Sequence, residues 1–197
     1  MLPPFVFQLP PWILCHLSPV PQDFCLREDR MAWVIELAHA NIRHGTGGPF
    51  AAGVFDLQTH RLVAPGVNLV PFLGCSIAHA EMIALLFAQQ ALGVYDLGAE
   101  GLPAHELVTS TEPCAMCYGA IPWSGIRELT CGTRASDARS IGFDEGEKPS
   151  DWVQALERRG IAVHQDIDHD GGMALLKEYA RKGGVRYNGR QGRRKDP

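Results

Sequence analysis

Apolar positions recur along this chain with two periods, and the period changes at glycines and prolines. Met31, Val34, Ile35, Ala38 and Ile42 fall at helical spacing within residues 29–44, and Gly45 ends the run. Beyond the Gly47-Gly48-Pro49 loop, residues 50–57 and 62–69 are strand-like, and Gln58-Thr59-His60 between them predicts a hairpin. Residues 78–92 are rich in helix formers and stop at Gly93. The pattern then gives a strand over 106–110, a helix over 113–123, a strand over 128–132, a helix over 150–159, a strand over 161–165 and a last helix over 173–181. Strands separated by helices place helices on both faces of one sheet, antiparallel at the hairpin and otherwise parallel. The expected fold is an α/β protein, a three-layer α/β/α sandwich with a mixed central sheet of about five strands.

Length and composition narrow the class. The chain has 197 residues, 46% of them apolar and 20% charged, which suits a globular domain whose core needs no disulfide staples. No apolar run reaches the roughly 18–20 residues that span a bilayer, so no membrane partner is expected. The expected division is a proline-rich arm over 1–26, a domain over 27–183 and a basic tail over 184–197. The arm has no basic residue before Arg27, and Pro3, Pro4, Pro10, Pro11, Pro19 and Pro21 interrupt any helix of a secretion signal. It reads as an irregular segment that packs on the body or on a partner subunit. The six cysteines are irregularly spaced, which fits a reducing cytoplasm, where thiols serve as ligands, catalysts or core residues.

Charge excludes one class of partner. The net charge is −4, but residues 181–197 hold seven of the 18 basic residues and one of the 22 acids, so the preceding 180 residues carry −10. Such a body offers no broad face for nucleic acid, whose binding rests on Lys and Arg neutralising phosphates.

Two short segments carry candidate chemistry. Ser76-Ile77-Ala78-His79-Ala80-Glu81 opens one helix, and Thr111-Glu112-Pro113-Cys114-Ala115-Met116-Cys117 runs from a strand into another. Pro113 suits a first helical position, and Cys114 and Cys117 then share one helical face near the positive end of the helix dipole, which favours thiolates. One imidazole and two thiolates make three ligands for one zinc ion per subunit and leave the fourth position to water, the catalytic arrangement. Glu81, two residues from His79, is placed to move a proton without binding the metal. His-x-Glu followed by Pro-Cys-x-x-Cys is a zinc deaminase signature. The competing reading is a structural zinc site closed by Cys75, Cys131 or another histidine. Phe50, Phe143 and Trp123 are candidates to enclose a flat ring, although pattern alone favours core positions for them; Asn68 offers a donor and an acceptor to a heterocycle or, equally, shapes a turn.

From residue 32 onward the chain resembles the cytidine/deoxycytidylate deaminase superfamily, most closely its bacterial guanine deaminase branch. The likeness is carried by GGPFAA (47–52), HAE (79–81), TEPCAMC (111–117), IPWSGI (121–126) and IGFDEG (141–146), the last segment pointing to the guanine branch. The resemblance implies hydrolysis of guanine to xanthine and ammonia, with aminated triazines such as ammeline or cytosine-type bases as alternatives and tRNA adenosine or a non-catalytic zinc protein further behind. It implies Glu81 as one proton carrier and Glu145, with Asp144 as the alternative register, as a second that serves the leaving amine. On composition alone Glu145 would read as a solvated loop carboxylate. The resemblance also places Asn68 on a small nucleobase substrate, with Phe50, Phe143, Trp123, Ala80 and Tyr187 as the further candidate contacts. It implies a homodimer in which the C-terminal segment crosses to the partner and lays Tyr187 over the partner's site.

Overall fold

A computed structural model describes residues 7–17 and 24–189; residues 1–6, 18–23 and 190–197, with much of the expected arm and tail, lie outside the described residues. Helix α1 (Trp12–His16) precedes the long α2 (Arg27–Arg43). Strands β1 (Ala51–Asp56) and β2 (Leu62–Val67) form the hairpin, followed by a single turn, α3 (Val70–Leu73), and by α4 (Ala80–Leu92). The rest alternates: β3 (His105–Thr111), α5 (Ala115–Ser124), β4 (Glu128–Thr133), α6 (Ala135–Ser140), α7 (Trp152–Glu157), β5 (Ala162–His164) and α8 (His169–Arg181).

The sheet order is β2-β1-β3-β4-β5. Strands β3, β4 and β5 run parallel, whereas β1 is antiparallel to both β2 and β3. Antiparallel pairing therefore extends one strand beyond the hairpin. Pro65 lacks a ladder donor and is accommodated because β2 is an edge strand. The inner strands are buried on both faces, with alternate residues serving two cores. Ala51 and Phe55 of β1 pack with Met31, Val34 and Leu37 of α2, while Ala52 and Val54 pack with Ala84 and Leu85 of α4. Helices α2 and α8 lie on one face, and α4 lies on the other over β1 and β2.

Three expectations change. The arm is not wholly irregular: its described part contains α1, and Ile13 is fully buried in the core beneath α2. Pro10 and Pro11 precede that helix rather than interrupt it, and their carbonyls accept from Ile13 and Leu14. The short helices α3 and α6 lack an apolar stripe that periodicity could detect; α6 is set instead by the Asp137 carboxylate, which accepts from the Arg134 N–H at 2.8 Å. Pro113 sits one residue before the helix, because Cys114 itself is the N-cap of α5.

The base of the sheet holds a buried charge. Glu106 is fully inaccessible in β3; Arg30 Nε lies 2.6 Å from its Oε2, Arg27 Nε 3.4 Å from its Oε1, and Thr130 Oγ1 donates to it at 2.5 Å. Removing one side of such a pair strands the other in low dielectric. Glu106→Ala is expected to lower unfolding free energy by about 3 kcal/mol, measured by urea denaturation at neutral pH.

Candidate active site

Beyond the carboxyl ends of β3 and β4, two helices begin at the same place. His79 is the N-cap of α4 and Cys114 the N-cap of α5, both in extended backbone, and Cys117 follows at the third position of α5. Gly66 allows this meeting: a Cβ on it would lie 2.1 Å from the Ala80 carbonyl oxygen and 2.5 Å from the Ala84 nitrogen. With no side chain there, α4 rests directly on β2 and carries His79 to the thiols.

His79 Nδ1 stands 3.5 Å from Cys114 Sγ and 3.7 Å from Cys117 Sγ. All three ligand atoms fall within 4.8 Å of one another, and no other His, Cys, Asp or Glu joins the group among the described residues. Zinc bonds of about 2.3 Å to sulfur and about 2.0 Å to nitrogen give a tetrahedral N···S edge of about 3.5 Å. The triad therefore fits a zinc ion in size and in donor chemistry, with one corner uncommitted. Cys131, offered as a closing ligand, is buried in the core beneath the sheet, and Cys75 stands outside the group.

The charges are closely coupled. A hydrogen bond from Cys117, then His79, draw the Cys114 thiol down to about 4 against the effect of burial. The same hydrogen bond and burial hold Cys117 well above the usual thiol range. For His79, burial lowers the pKa, but the Cys114 hydrogen bond and the nearby negative charges outweigh it and the net direction is up. Burial, then the Cys114 thiolate, push Glu81 up to about 7. Burial, then the charges of Cys114 and Glu81, push Glu145 up to about 8. A divalent cation in the triad favours the ionised forms of both carboxyls.

Glu145 reaches the site on a loop fixed at several points. Gly142 and Gly146 take positive φ on either side of it. Its carbonyl accepts from the N–H of Ala115, the first residue of α5, at 2.9 Å. Lys148 Nζ donates to the Pro113 carbonyl at 2.6 Å, and Arg139 to the Gly146 carbonyl at 3.0 Å. Glu145 is 7% exposed and shares a cavity with Glu81, also 7% exposed, whereas Asp144 is exposed and spends Oδ1 on the Gly146 N–H.

The cavity encloses about 310 Å³. His79, Glu81, Cys114, Asn68, Phe50, Phe143, Glu145 and Tyr187 all line it. Four placements depart from expectation. Phe50 and Phe143 meet edge to face, ring centroids 4.9 Å apart at 74°, so no ring can lie between them; they form a corner instead. Trp123 is 86% exposed and away from the cavity, because nine helical positions after Cys114 is about 180° around the helix. The Ala80 side chain is packed into the core with Ala84 and Leu85 and does not line the cavity. Tyr187, expected over a neighbour's pocket, lies on the cavity of its own chain, 5.1 Å from the Phe143 ring. Asn188 secures this segment, donating to the Gly142 carbonyl at 2.9 Å and accepting from the Asp144 N–H at 2.8 Å.

Sequence reasoning did not single out Ser76, Thr109, Thr111 or Met116 as cavity residues, though they line it. Thr109 and Thr111 alternate along β3 toward its carboxyl end, a position where α/β sheets bind ligands, and that was the available signal. Glu112, also at the cavity, is committed elsewhere: it accepts from Gln165 Nε2 at 2.6 Å and from the Ala135 N–H at 3.1 Å.

Residues 27–133 match the model of the cytidine and deoxycytidylate deaminase zinc-binding region. Guanine deaminase from Bacillus subtilis is 33% identical over 131 residues, 66% of this chain and 80% of that protein. The structure of guanine deaminase from Nitrosomonas europaea superimposes with a TM-score of 0.86 at 46% identity, covering 92% of this chain and 98% of that one. A single-site variant solved in complex with 8-azaguanine gives a TM-score of 0.86 at 47% identity, covering 90% and 98%.

If the triad holds zinc, removing one thiolate removes the metal. Cys117→Ala is expected to drop the bound zinc from one equivalent to near none, counted by atomic emission on dialysed protein.

Proposed function

The chain belongs to the cytidine and deoxycytidylate deaminase family, and from that premise we propose that it hydrolyses guanine to xanthine and ammonia. It is a zinc-dependent hydrolase of carbon–nitrogen bonds. The observation that carries the guanine reading is the pair of buried carboxyls, Glu81 and Glu145, facing one cavity beside the triad. A 2-amino group between two ring nitrogens needs a proton on the ring and a proton on the departing amine, and two carboxyls can supply both. The similarity to guanine deaminases and to a protein that binds 8-azaguanine, a guanine analogue, supports the same reading.

In the proposed mechanism His79, Cys114 and Cys117 would hold zinc, whose chemistry would be to lower the pKa of water so that it ionises near neutral pH. The base lies against the corner formed by Phe50 and Phe143. Asn68 Oδ1 accepts from the Val70 N–H at 3.2 Å, and its Nδ2, beside the Tyr187 hydroxyl, is the group that would donate to a ring acceptor. Glu81 takes the proton of the attacking water and places it on the ring nitrogen next to C2. As the new C–O bond forms, Glu145 hands its proton to the exocyclic amine. The C–N bond then breaks, ammonia leaves, and collapse to the C2 carbonyl returns the hydroxyl proton to a carboxylate. Burial raises Glu145 above the ordinary carboxyl range and so favours the protonated, donor form against the pull of a cation in the triad.

The proposal extends to the domain boundaries at 27–183, to a cytoplasmic setting and to a homodimer. Cys15, Cys75, Cys114, Cys117 and Cys131 are free thiols, as a reducing compartment favours. Trp123 and Tyr95 stand exposed at neighbouring points, where the Leu97 N–H meets the Ser124 carbonyl, and give a second copy an apolar surface to cover. Exchange of the tail between protomers would repeat the contacts that Tyr187 and Asn188 make within this chain, with Gly183 and Gly184 as the hinge.

Ammonia release assayed on guanine, ammeline, cytosine and adenine tests the substrate; guanine should be the fastest, and no release from guanine would defeat the reading. Glu81→Ala should retain one zinc yet lose at least about 100-fold in kcat, and loss of the metal would make Glu81 a ligand instead. Glu145→Gln should lower kcat by a similar factor with zinc unchanged, and near-wild-type turnover would return Glu145 to a solvated loop.

A further inference from the structure

Helix α1 touches no part of the cavity, yet an ordered set of hydrogen bonds runs from it to Asn68. The Trp12 ring stacks on His44, centroids 4.9 Å apart and 6° from parallel, and its Nε1 donates to Thr46 Oγ1 at 3.1 Å. The Thr46 hydroxyl donates to Asn41 Oδ1 at 2.6 Å. Asn41, fully buried in α2, donates both amide hydrogens, to the Gly48 carbonyl and to the Asn68 carbonyl, each at 2.9 Å. Each hydrogen in the relay points the same way, from the arm toward the cavity.

The relay acts where nothing else has room. A Cβ on Gly47 would lie 1.7 Å from the Asn68 carbonyl oxygen and 2.9 Å from Asn41 Nδ2, so the loop is pressed against Asn68 with the Asn41 amide as the spacer. A primary amide held at both hydrogens and at its oxygen cannot rotate. It therefore fixes the distance between the Gly47-Gly48-Pro49 loop, which leads into Phe50, and the backbone of Asn68.

We propose that Asn41 is a positioning residue for Asn68, and that Thr46 and Trp12 carry its support out to the N-terminal helix, so that α1 takes part in recognition of the base. The proposal rests on the reading that Asn68 binds the substrate ring. Loosening the relay lets the Asn68 backbone shift relative to Phe50, which weakens the base in its ground and transition states alike; that raises KM and leaves kcat. Asn41 is too deeply buried for a clean test, but its outer partners are not. Thr46→Val keeps shape and removes the hydroxyl, Trp12→Phe keeps a stacking ring and removes the N–H, and Thr46→Ser restores the hydroxyl.

On full-length zinc-loaded protein, well below its unfolding temperature, Thr46→Val and Trp12→Phe should each raise KM for guanine about fivefold. Their kcat should stay within about twofold with zinc content unchanged, and Thr46→Ser should recover the wild-type KM. A merely structural role would lower the melting temperature and leave KM where it was. Asn68→Ala serves as the reference and should raise KM further. If Asn68→Ala impairs KM while Thr46→Val does not, the relay is overturned alone. If Asn68→Ala is itself silent, the relay falls together with the assignment of Asn68.

Discussion

Everything in this molecule that bears on chemistry depends on a close contact between backbone and backbone, the seating of α4 on Gly66. Because no side chain intervenes, the first turn of α4 lies against the edge strand, and His79 stops where α5 begins. Two helix N-termini then converge, and their unsatisfied N–H groups and dipoles make the meeting point positive. The site needs that field. It holds one thiolate-forming cysteine and two buried carboxyls in a small volume, and without a compensating positive end or a cation their mutual repulsion would be costly.

Secondary elements set the triad, whereas the opposite wall is made from loops and from the chain's last described residues. The Glu145 loop is tied to the first turn of α5 and to Pro113, so the second carboxyl is referenced to the same helix that presents the cysteines. Asn188 then ties the tail to that loop. Rigid elements thus hold the ligand set, and a chain of local hydrogen bonds transmits its position to the remaining groups.

The sequence made the sheet and the motifs legible because both are local. The strand-like runs of β1 and β3, the glycine stops of α2 and α4, and the spacings of His79 to Glu81 and of Cys114 to Cys117 each lie within a few residues. What was hidden depended on packing across the chain. Phe50 and Phe143 were readable as ring-lining residues, but their edge-to-face contact follows from the approach of two loops distant in sequence. Helix α1 was masked by its prolines, since the partner that stabilises it, the core under α2, is contributed by residues far along the chain. Helical periodicity alone turns Trp123 away from the cysteines.

Strand β3 is anchored by a buried carboxyl group at both extremities. Glu106 is neutralised by Arg30 and Arg27 at its start, and the carboxylate of Glu112, just past its end, accepts from Ala135 and Gln165. A slide of β3 by two residues would keep every side chain on its proper face and so pass unnoticed by hydrophobic packing. It would also strip both acids of their counterparts inside a dry interior. The native alignment leaves neither naked, so it is charge, more than oil, that tells the central strand where to stop.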